Sequence, residues 1–380
     1  MSARLNPQAA VRIREVLQGH VDSGLIPGAV ALVALGGETC LFETLGRRDP
    51  AAPDAMRTDT VFRIYSMTKP VVSLAALMLV EQGRLLLTDP VSKHLPMFAG
   101  QQVLGADGKL VAAAREATVQ DLLRHTAGFT YEFMGDGPVH RQYAEAALAS
   151  HKRSNLEFCE ALAAIPLAFQ PGSCWEYSRA TDVLGALLEV VAGQPLGALL
   201  SAMVLAPLGM KDTGFSLPEA AHGRMAEPFA ADPQTGEAVV LMPNRRVPRF
   251  ESAGGGLLST AADYARFLLL LRNRGSLDGV RLLSPQTLAW MTADHLGAIP
   301  VRGDLLAPGN GFGLGFAVRT DAGVAPTPGS VGSYFWSGLG GTSFFVDPAQ
   351  DLFAMLLTQA PGQREFFIRL WRQLVYGALD

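Results

Sequence analysis

A serine three residues ahead of a lysine, in Tyr65-Ser66-Met67-Thr68-Lys69-Pro70, is the pair in this chain best suited to chemistry. On a helix, positions i and i+3 share a face, so the Lys69 ammonium would reach the Ser66 hydroxyl. A serine hydroxyl is a poor nucleophile until a base takes its proton. A lysine can be that base when burial or nearby positive charge lowers its pKa. Ser66 also stands where the segment turns helical. Free backbone N–H groups and the helix dipole there favour developing negative charge. The chemistry implied is acyl transfer through an acyl-serine. Four residues alone are a weak motif, and their weight comes from context. Here they follow a strand-like run and open an apolar helix.

Other chemistries find less in the sequence. The seven histidines form no H-x-x-x-H pair that would set two metal ligands on one helix face. The three cysteines, Cys40, Cys159 and Cys174, have neither disulfide-framework nor zinc spacing. No serine has glycine at both −2 and +2, so the G-x-S-x-G elbow is absent. Neither a metal nor an organic cofactor is expected. The net charge of −4 and pI of about 6.0, with basic residues clustered only as pairs, give no surface for nucleic acid. Mean hydropathy is +0.20, yet no apolar run approaches the ~18 residues that cross a bilayer. Met1 to Pro7 shows no basic stretch followed by an apolar one. A cytoplasmic protein without membrane contact is therefore expected.

The elements that must position Ser66 and Lys69 can be read from periodicity. Residues 7–24 place Val11, Ile13, Val16, Leu17 and Val21 at helical spacing. Residues 29–35 and 40–45, joined at Gly36-Gly37, predict a β-hairpin. Val61–Ile64 is strand-like, and a helix runs from Ser66 to Gly83. Helices then dominate at 118–124, 154–165, 180–192 and 195–206, with Gly/Pro-rich loops at 127–140 and 226–250. Gly254-Gly255-Gly256 precedes a helix over 255–274, with Ser259 or Thr260 as its N-cap. Strands return at 313–318, 330–336, 342–346 and 352–357, and a helix at 365–378 closes the chain. With 380 residues, 49% of them hydrophobic, the chain can bury one large core or two smaller ones. The order predicts an α/β unit from residues 1–88 and 251–380 and a mainly helical insertion at 89–250, with the active site between them.

At this point the chain resembles the class C β-lactamase and penicillin-recognising serine hydrolases, and more closely their β-lactamase-like (family VIII) carboxylesterases. The segments that carry the likeness are Tyr65–Lys69, Leu122-Leu123-Arg124-His125-Thr126-Ala127-Gly128, Gln170-Pro171-Gly172, Tyr177-Ser178-Arg179, Gly254–Thr260 and Asn310-Gly311-Phe312-Gly313-Leu314-Gly315. They stand in family order from about residue 8 to 376. The resemblance implies a β-lactamase-like fold, with an antiparallel sheet flanked by helices plus a mostly helical inserted domain. It implies that Tyr177 is the general base and that Lys69 keeps it ionised or shares its proton. It also implies an oxyanion hole built from the N–H groups of Ser66 and Leu339. By resemblance, Tyr131 and Asp182 line the pocket, and His125 belongs to a structural corner rather than to a Ser-His-Asp triad.

Two departures from the lactamase pattern bear on substrate. Arg179 stands where that family has an asparagine. Trp336-Ser337-Gly338 replaces the strand bearing Lys-Thr-Gly. A tryptophan cannot pair with the carboxylate of a penicillin or peptide, but it walls an ester pocket. The expected substrate is a small-molecule ester with a short acyl chain, held by Trp336, Ser337, Gly338, Tyr131 and Asp182. The rival expectations are a β-lactamase or D-stereospecific peptidase, or an acyltransferase on the same scaffold.

Overall fold

The computed structural model describes residues 4–380. Helix α1 (Pro7–Asp22) begins at Asn6, whose side chain accepts from the N–H groups of Gln8 and Ala9. Strands β1 (Gly28–Leu35) and β2 (Glu38–Gly46) form the expected hairpin. Its turn needs positive φ at both Gly36 and Gly37, which glycine adopts without strain. Strand β3 (Val61–Arg63) runs into a 3₁₀ turn, Tyr65–Met67, and then helix α2 (Thr68–Glu81). That helix is buried from Thr68 to Leu79 and is apolar on all sides, as a central helix must be. The next helices are α3 (Val119–Leu123), α4 (Pro138–Glu145), α5 (Asn155–Ala163), α6 (Ala180–Ala192) and α7 (Leu196–Leu200). After β4 (Leu258–Thr260) come α8 (Ala261–Arg272) and α9 (Pro285–Met291). The last elements are β5 (Asn310–Phe312), β6 (Ala317–Arg319), β7 (Tyr334–Gly338), β8 (Thr342–Asp347), β9 (Leu352–Leu357) and α10 (Arg364–Tyr376).

Seven strands form one antiparallel sheet in the order β2-β1-β9-β8-β7-β6-β5. Its strands come from both ends of the chain. Strand β3 pairs separately with β4. On one face Ala29, Ala31, Phe345 and Leu356 pack with α1 and α10 through Ile13, Leu17, Phe367 and Trp371. On the other face Val30, Leu32, Phe344 and Met355 join the larger core that contains α2 and α8. Both faces being covered explains why β1 and β9 read as continuous apolar runs rather than alternating ones. The expected antiparallel sheet flanked by helices is what the chain forms. Among the described residues, no single helix is long and apolar enough to cross a membrane.

Several local expectations are corrected. Residues 313–318 do not form one strand. β5 and β6 are a hairpin instead, bent because Gly315 has φ +101° and lies against Ser73, where a Cβ would meet Oγ at 2.4 Å. The loop expected at 127–140 ends in the first turn of α4. The helix expected from residue 255 starts at Ala261, with Thr260 as its cap, because the preceding residues pair as β4. The helix expected over 195–206 leaves the α form at Ser201 for a wider π turn.

The Arg124-His125-Thr126 corner is built around a buried carboxylate. Asp121, on α3, accepts from Arg115 at 2.5 and 3.0 Å, Arg124 at 3.1 Å, Thr126 at 2.7 Å and the Thr118 N–H at 3.0 Å. Burial alone would raise its pKa. The hydrogen bonds, those of Arg115 first, outweigh this and hold it at about 2. A carboxylate depressed in the folded state stabilises above its unfolded pKa of about 3.9, and that stability is lost as pH falls from about 4 to 2. The expected contribution at pH 7 is about 2 kcal/mol. Urea unfolding of wild type and Asp121→Asn checks it. The difference between them should shrink as pH falls through this window.

Candidate active site

The position of Ser66 is set by backbone strain and close packing. Tyr65 has φ +45°, a left-handed value that a bulky side chain rarely takes. Its hydroxyl accepts the Met242 N–H at 3.0 Å. Its ring lies under Gly340, where a Cβ would approach Cε2 to 2.8 Å. Below the turn, Tyr264 donates to the Met67 carbonyl at 3.0 Å and Thr68 Oγ1 accepts the Leu257 N–H at 3.0 Å. Ser66 therefore sits in the 3₁₀ turn just ahead of α2, not in the first α turn itself.

Lys69 is fully buried and donates to three oxygens: Ser66 Oγ at 3.3 Å, Tyr131 OH at 3.1 Å and the Gly254 carbonyl at 2.7 Å. The Tyr177 hydroxyl lies 2.6 Å from Ser66 Oγ, as donor. The Lys69 ammonium sits 4.4 Å from the centre of the Tyr177 ring. The structure thus brings Ser66, Lys69, Tyr177 and Tyr131 into one cluster. Burial, and then the neighbouring Tyr177 and Asp182, push the Tyr131 phenol well above its usual pKa. Tyr131 stays protonated and holds the lysine in place.

His125 lies behind Tyr177 with its ring centre 4.9 Å away, and its Nδ1 is 3.1 Å from Ser178 Oγ. Burial, and then the charge of Lys69, hold it well below its usual pKa. It is a neutral prop for the Tyr177 ring.

Asp182 is not on the cavity wall. Its Oδ1 accepts from Ser252 Oγ at 2.7 Å and from the Gly254 N–H at 2.8 Å, and Arg179 lies 3.5 Å from Oδ2. It fixes the peptide whose carbonyl grips Lys69. Arg179 pairs with Glu132 at 2.6 Å and covers the Tyr131 ring at 4.8 Å. Replacing Asp182 with alanine leaves Arg179 short of a buried partner. It should cost about 3 kcal/mol in urea unfolding, a size set by breaking a buried pair.

The cluster opens into a cavity of about 430 Å³. Ser66, Tyr131, Tyr177, Trp336, Ser337 and Leu339 line it. Trp336 leans on Tyr177, with ring centres 5.2 Å apart. Gly338 lies beneath the wall, pressed on the turn that carries Ser66. A Cβ there would meet the Ile64 carbonyl at 2.3 Å. Strand β7 and the turn after it can approach Ser66 only because residues 338 and 340 are glycine. Among the described residues, neither the Ser66 nor the Leu339 N–H donates to another protein group. Six further wall residues carried no sequence signal: Phe133, Met134, His151, Phe250, Leu305 and Arg364. They lie on loops or at a helix start, where no period marks an inward face. No group of side chains able to hold a metal ion occurs among the described residues.

The Beta-lactamase family model matches residues 13–378. Protein Rv1367c of Mycobacterium tuberculosis (strain ATCC 25618 / H37Rv) is 39% identical over 360 residues, covering 91% of this chain and 88% of that protein. Esterase EstB of Burkholderia gladioli is 36% identical over 370 residues, covering 92% and 90%. Among solved structures, EstCE1, described as a hydrolase with promiscuous acyltransferase activity, superposes with a TM-score of 0.83 at 32% identity. That match covers 97% of this chain and 99% of the other. The match covers nearly the whole chain, so the chain belongs to the Beta-lactamase family and is a serine hydrolase.

Proposed function

We propose that the protein is a carboxylesterase that hydrolyses short-acyl esters through an acyl-enzyme on Ser66, with Lys69 and Tyr177 as its base system. One observation carries this reading. A buried lysine and a tyrosine hydroxyl both lie within hydrogen-bond reach of one serine oxygen, at the floor of a cavity walled by Trp336. The cavity lining draws on both stretches of the chain read from the sequence, with Ser66, Trp336 and Leu339 from residues 1–88 and 251–380 and Tyr131 and Tyr177 from 89–250.

In the proposed sequence Tyr177, ionised beside the Lys69 ammonium, takes the Ser66 proton as Oγ bonds to the ester carbonyl carbon. The carbonyl oxygen becomes an oxyanion held by the N–H groups of Ser66 and Leu339. When it collapses, the bond to the alkoxy oxygen breaks and Tyr177 returns its proton to the departing alcohol. Water then attacks the acyl-serine, Tyr177 takes its proton and later returns it to Ser66, and the acid leaves. Lys69 keeps Tyr177 ionised or shares its proton. The likeness to Esterase EstB and the absence of a lysine at Trp336-Ser337-Gly338 support an ester over a β-lactam. Aromatic and apolar walls of Phe133, Met134, Phe250 and Leu305 suit a small uncharged acyl group.

A panel of p-nitrophenyl acetate, butyrate and octanoate beside nitrocefin and a D-Ala-D-Ala peptide tests the reading, with mass spectrometry of the trapped acyl-enzyme. The expected result is preference for acetate or butyrate and an acyl adduct on Ser66. Higher kcat/KM for nitrocefin or the peptide, or an adduct elsewhere, would sink it. The likeness to EstCE1 favours a second reading, acyl transfer to an alcohol. The ratio of new ester to free acid with added alcohol measures that.

A further inference from the structure

The sheet carries a second cluster of buried charge, on the face that packs against α10. Arg372, on α10, is 3% exposed and is stacked between two aromatic rings, Phe335 at 4.0 Å and Phe345 at 4.9 Å. Neither its NH1 nor its NH2 has a hydrogen-bond partner. Arg319, on β6, is 1% exposed. Its NH2 donates to the Thr327 carbonyl at 3.0 Å and to Thr327 Oγ1 at 3.2 Å, but its Nε and NH1 have no partner. The hydroxyl of Ser333, fully buried, is also unpartnered. The three side chains converge, Arg319 through the NH2 that Thr327 also holds. A Cβ built on Gly329 would lie 3.3 Å from Ser333 Oγ, 3.4 Å from Arg319 NH2 and 3.4 Å from Arg372 NH1.

The acidic groups nearby do not answer these donors. Asp347, buried beside them, is already taken by Tyr376 OH at 2.5 Å, the Ser330 N–H at 3.0 Å and the N–H groups of Ala349 and Gln350. Glu365 pairs with Arg364, and Asp304 and Asp321 are exposed on loops. Two buried guanidiniums against one occupied carboxylate leave an uncompensated positive charge. Unpaired buried charge and orphaned donors are costly, so native proteins satisfy them. Burial lowers the pKa of both arginines, Arg372 to about 10 with the charge of Arg319 adding to the effect, so both remain cations at neutral pH. A cavity of about 130 Å³ reaches Arg372 and Thr327 from the surface between α10 and the loops at 304–307 and 326–327.

We propose that Arg372 binds a small anion, a carboxylate or an inorganic anion, at the inner end of this cavity, with the charge of Arg319 behind it. Planar guanidiniums with free N–H pairs match the oxygens of such ligands. Ser66 does not line this cavity, which shares Leu305, Trp336 and Ser337 with the Ser66 cavity, and the anion site does not depend on the esterase reading. Phe335, stacked on Arg372, is next to Trp336 on β7.

Thermal unfolding of the whole protein, titrated with chloride, phosphate or acetate, tests this. Ionic strength is held with the bulky sulfonate buffer HEPES, which is too large for the cavity. At least one anion should raise Tm saturably, by about 2 °C at ten times its Kd, and the rise should vanish in Arg372→Met. The separate curves distinguish a carboxylate ligand from an inorganic one. A wild-type Tm indifferent to all three anions, or an equal rise in Arg372→Met, would overturn the proposal. If that variant does not fold, bromide-soaked crystals of wild type decide the matter. An anomalous peak in contact with Arg372 supports the site, and water alone there overturns it.

Discussion

Alanine at position 66 is expected to lower kcat/KM for p-nitrophenyl butyrate by ~10⁴-fold or more. Ser66 Oγ is the atom on which Lys69 and Tyr177 both converge, and it faces the cavity. Removing it leaves the cavity and the two amides, so a residual rate above solvent hydrolysis should persist, as it does when triad members are deleted elsewhere. Stability should change little. The Ser66 side chain is half-buried, and its loss frees Tyr177 and Lys69 donors that border a space large enough for water. p-Nitrophenolate release read beside a circular dichroism melt separates the two effects. Wild-type rates in Ser66→Ala would remove Ser66 from the mechanism.

The part of this cluster that is local in sequence is the part that can be read from it. Ser66 and Lys69 are three residues apart, and helical geometry alone brings them together. What the geometry could not say is that a left-handed Tyr65 puts a 3₁₀ turn before α2 and sets Ser66 ahead of the helix. Tyr177 meets Ser66 across 111 residues of chain, and no periodicity marks that contact. It was reachable only through the resemblance. The third acceptor for Lys69, the Gly254 carbonyl, is a backbone atom with no residue type to announce it.

Resemblance carries a position but not the direction of a side chain. It named Asp182 as a pocket residue, whereas the carboxylate turns inward to anchor Gly254 and balance Arg179. The same limit applied to the fold. Apolar runs marked β1 and β9, because strands covered on both faces select apolar residues at nearly every position. The edge hairpin β5–β6 was read as one strand. Its bend depends on Ser73, some 240 residues earlier in the chain, leaving room only for glycine at 315. Conversely, the arginine-rich cluster behind β7 has no motif. Arg319 and Arg372 are ordinary surface residues by type, and only the packing of α10 on the sheet buries them.

Tyr177→Phe is the sharper test of the base system. It is expected to lower kcat by ~10³-fold, within the 10²–10⁴ range for losing a positioned acid–base group, with KM little changed. The ring should stay where it is. It is held by His125 at 4.9 Å, Tyr131 and Trp336 at 5.2 Å each, and the Lys69 ammonium at 4.4 Å, none of which needs the hydroxyl. Tm should therefore shift by no more than a few degrees. The pH profile discriminates further. If Tyr177 is the base, wild-type kcat/KM rises with pH through one ionisation to a plateau. The variant loses that ionisation, and its remaining rate follows hydroxide without levelling. If instead Lys69 takes the Ser66 proton directly, across the 3.3 Å that separates them, Tyr177→Phe keeps the wild-type ionisation and loses only rate. Lys69→Met then abolishes it. The pair of profiles assigns the proton, which distances from Ser66 Oγ of 2.6 and 3.3 Å leave within reach of both groups.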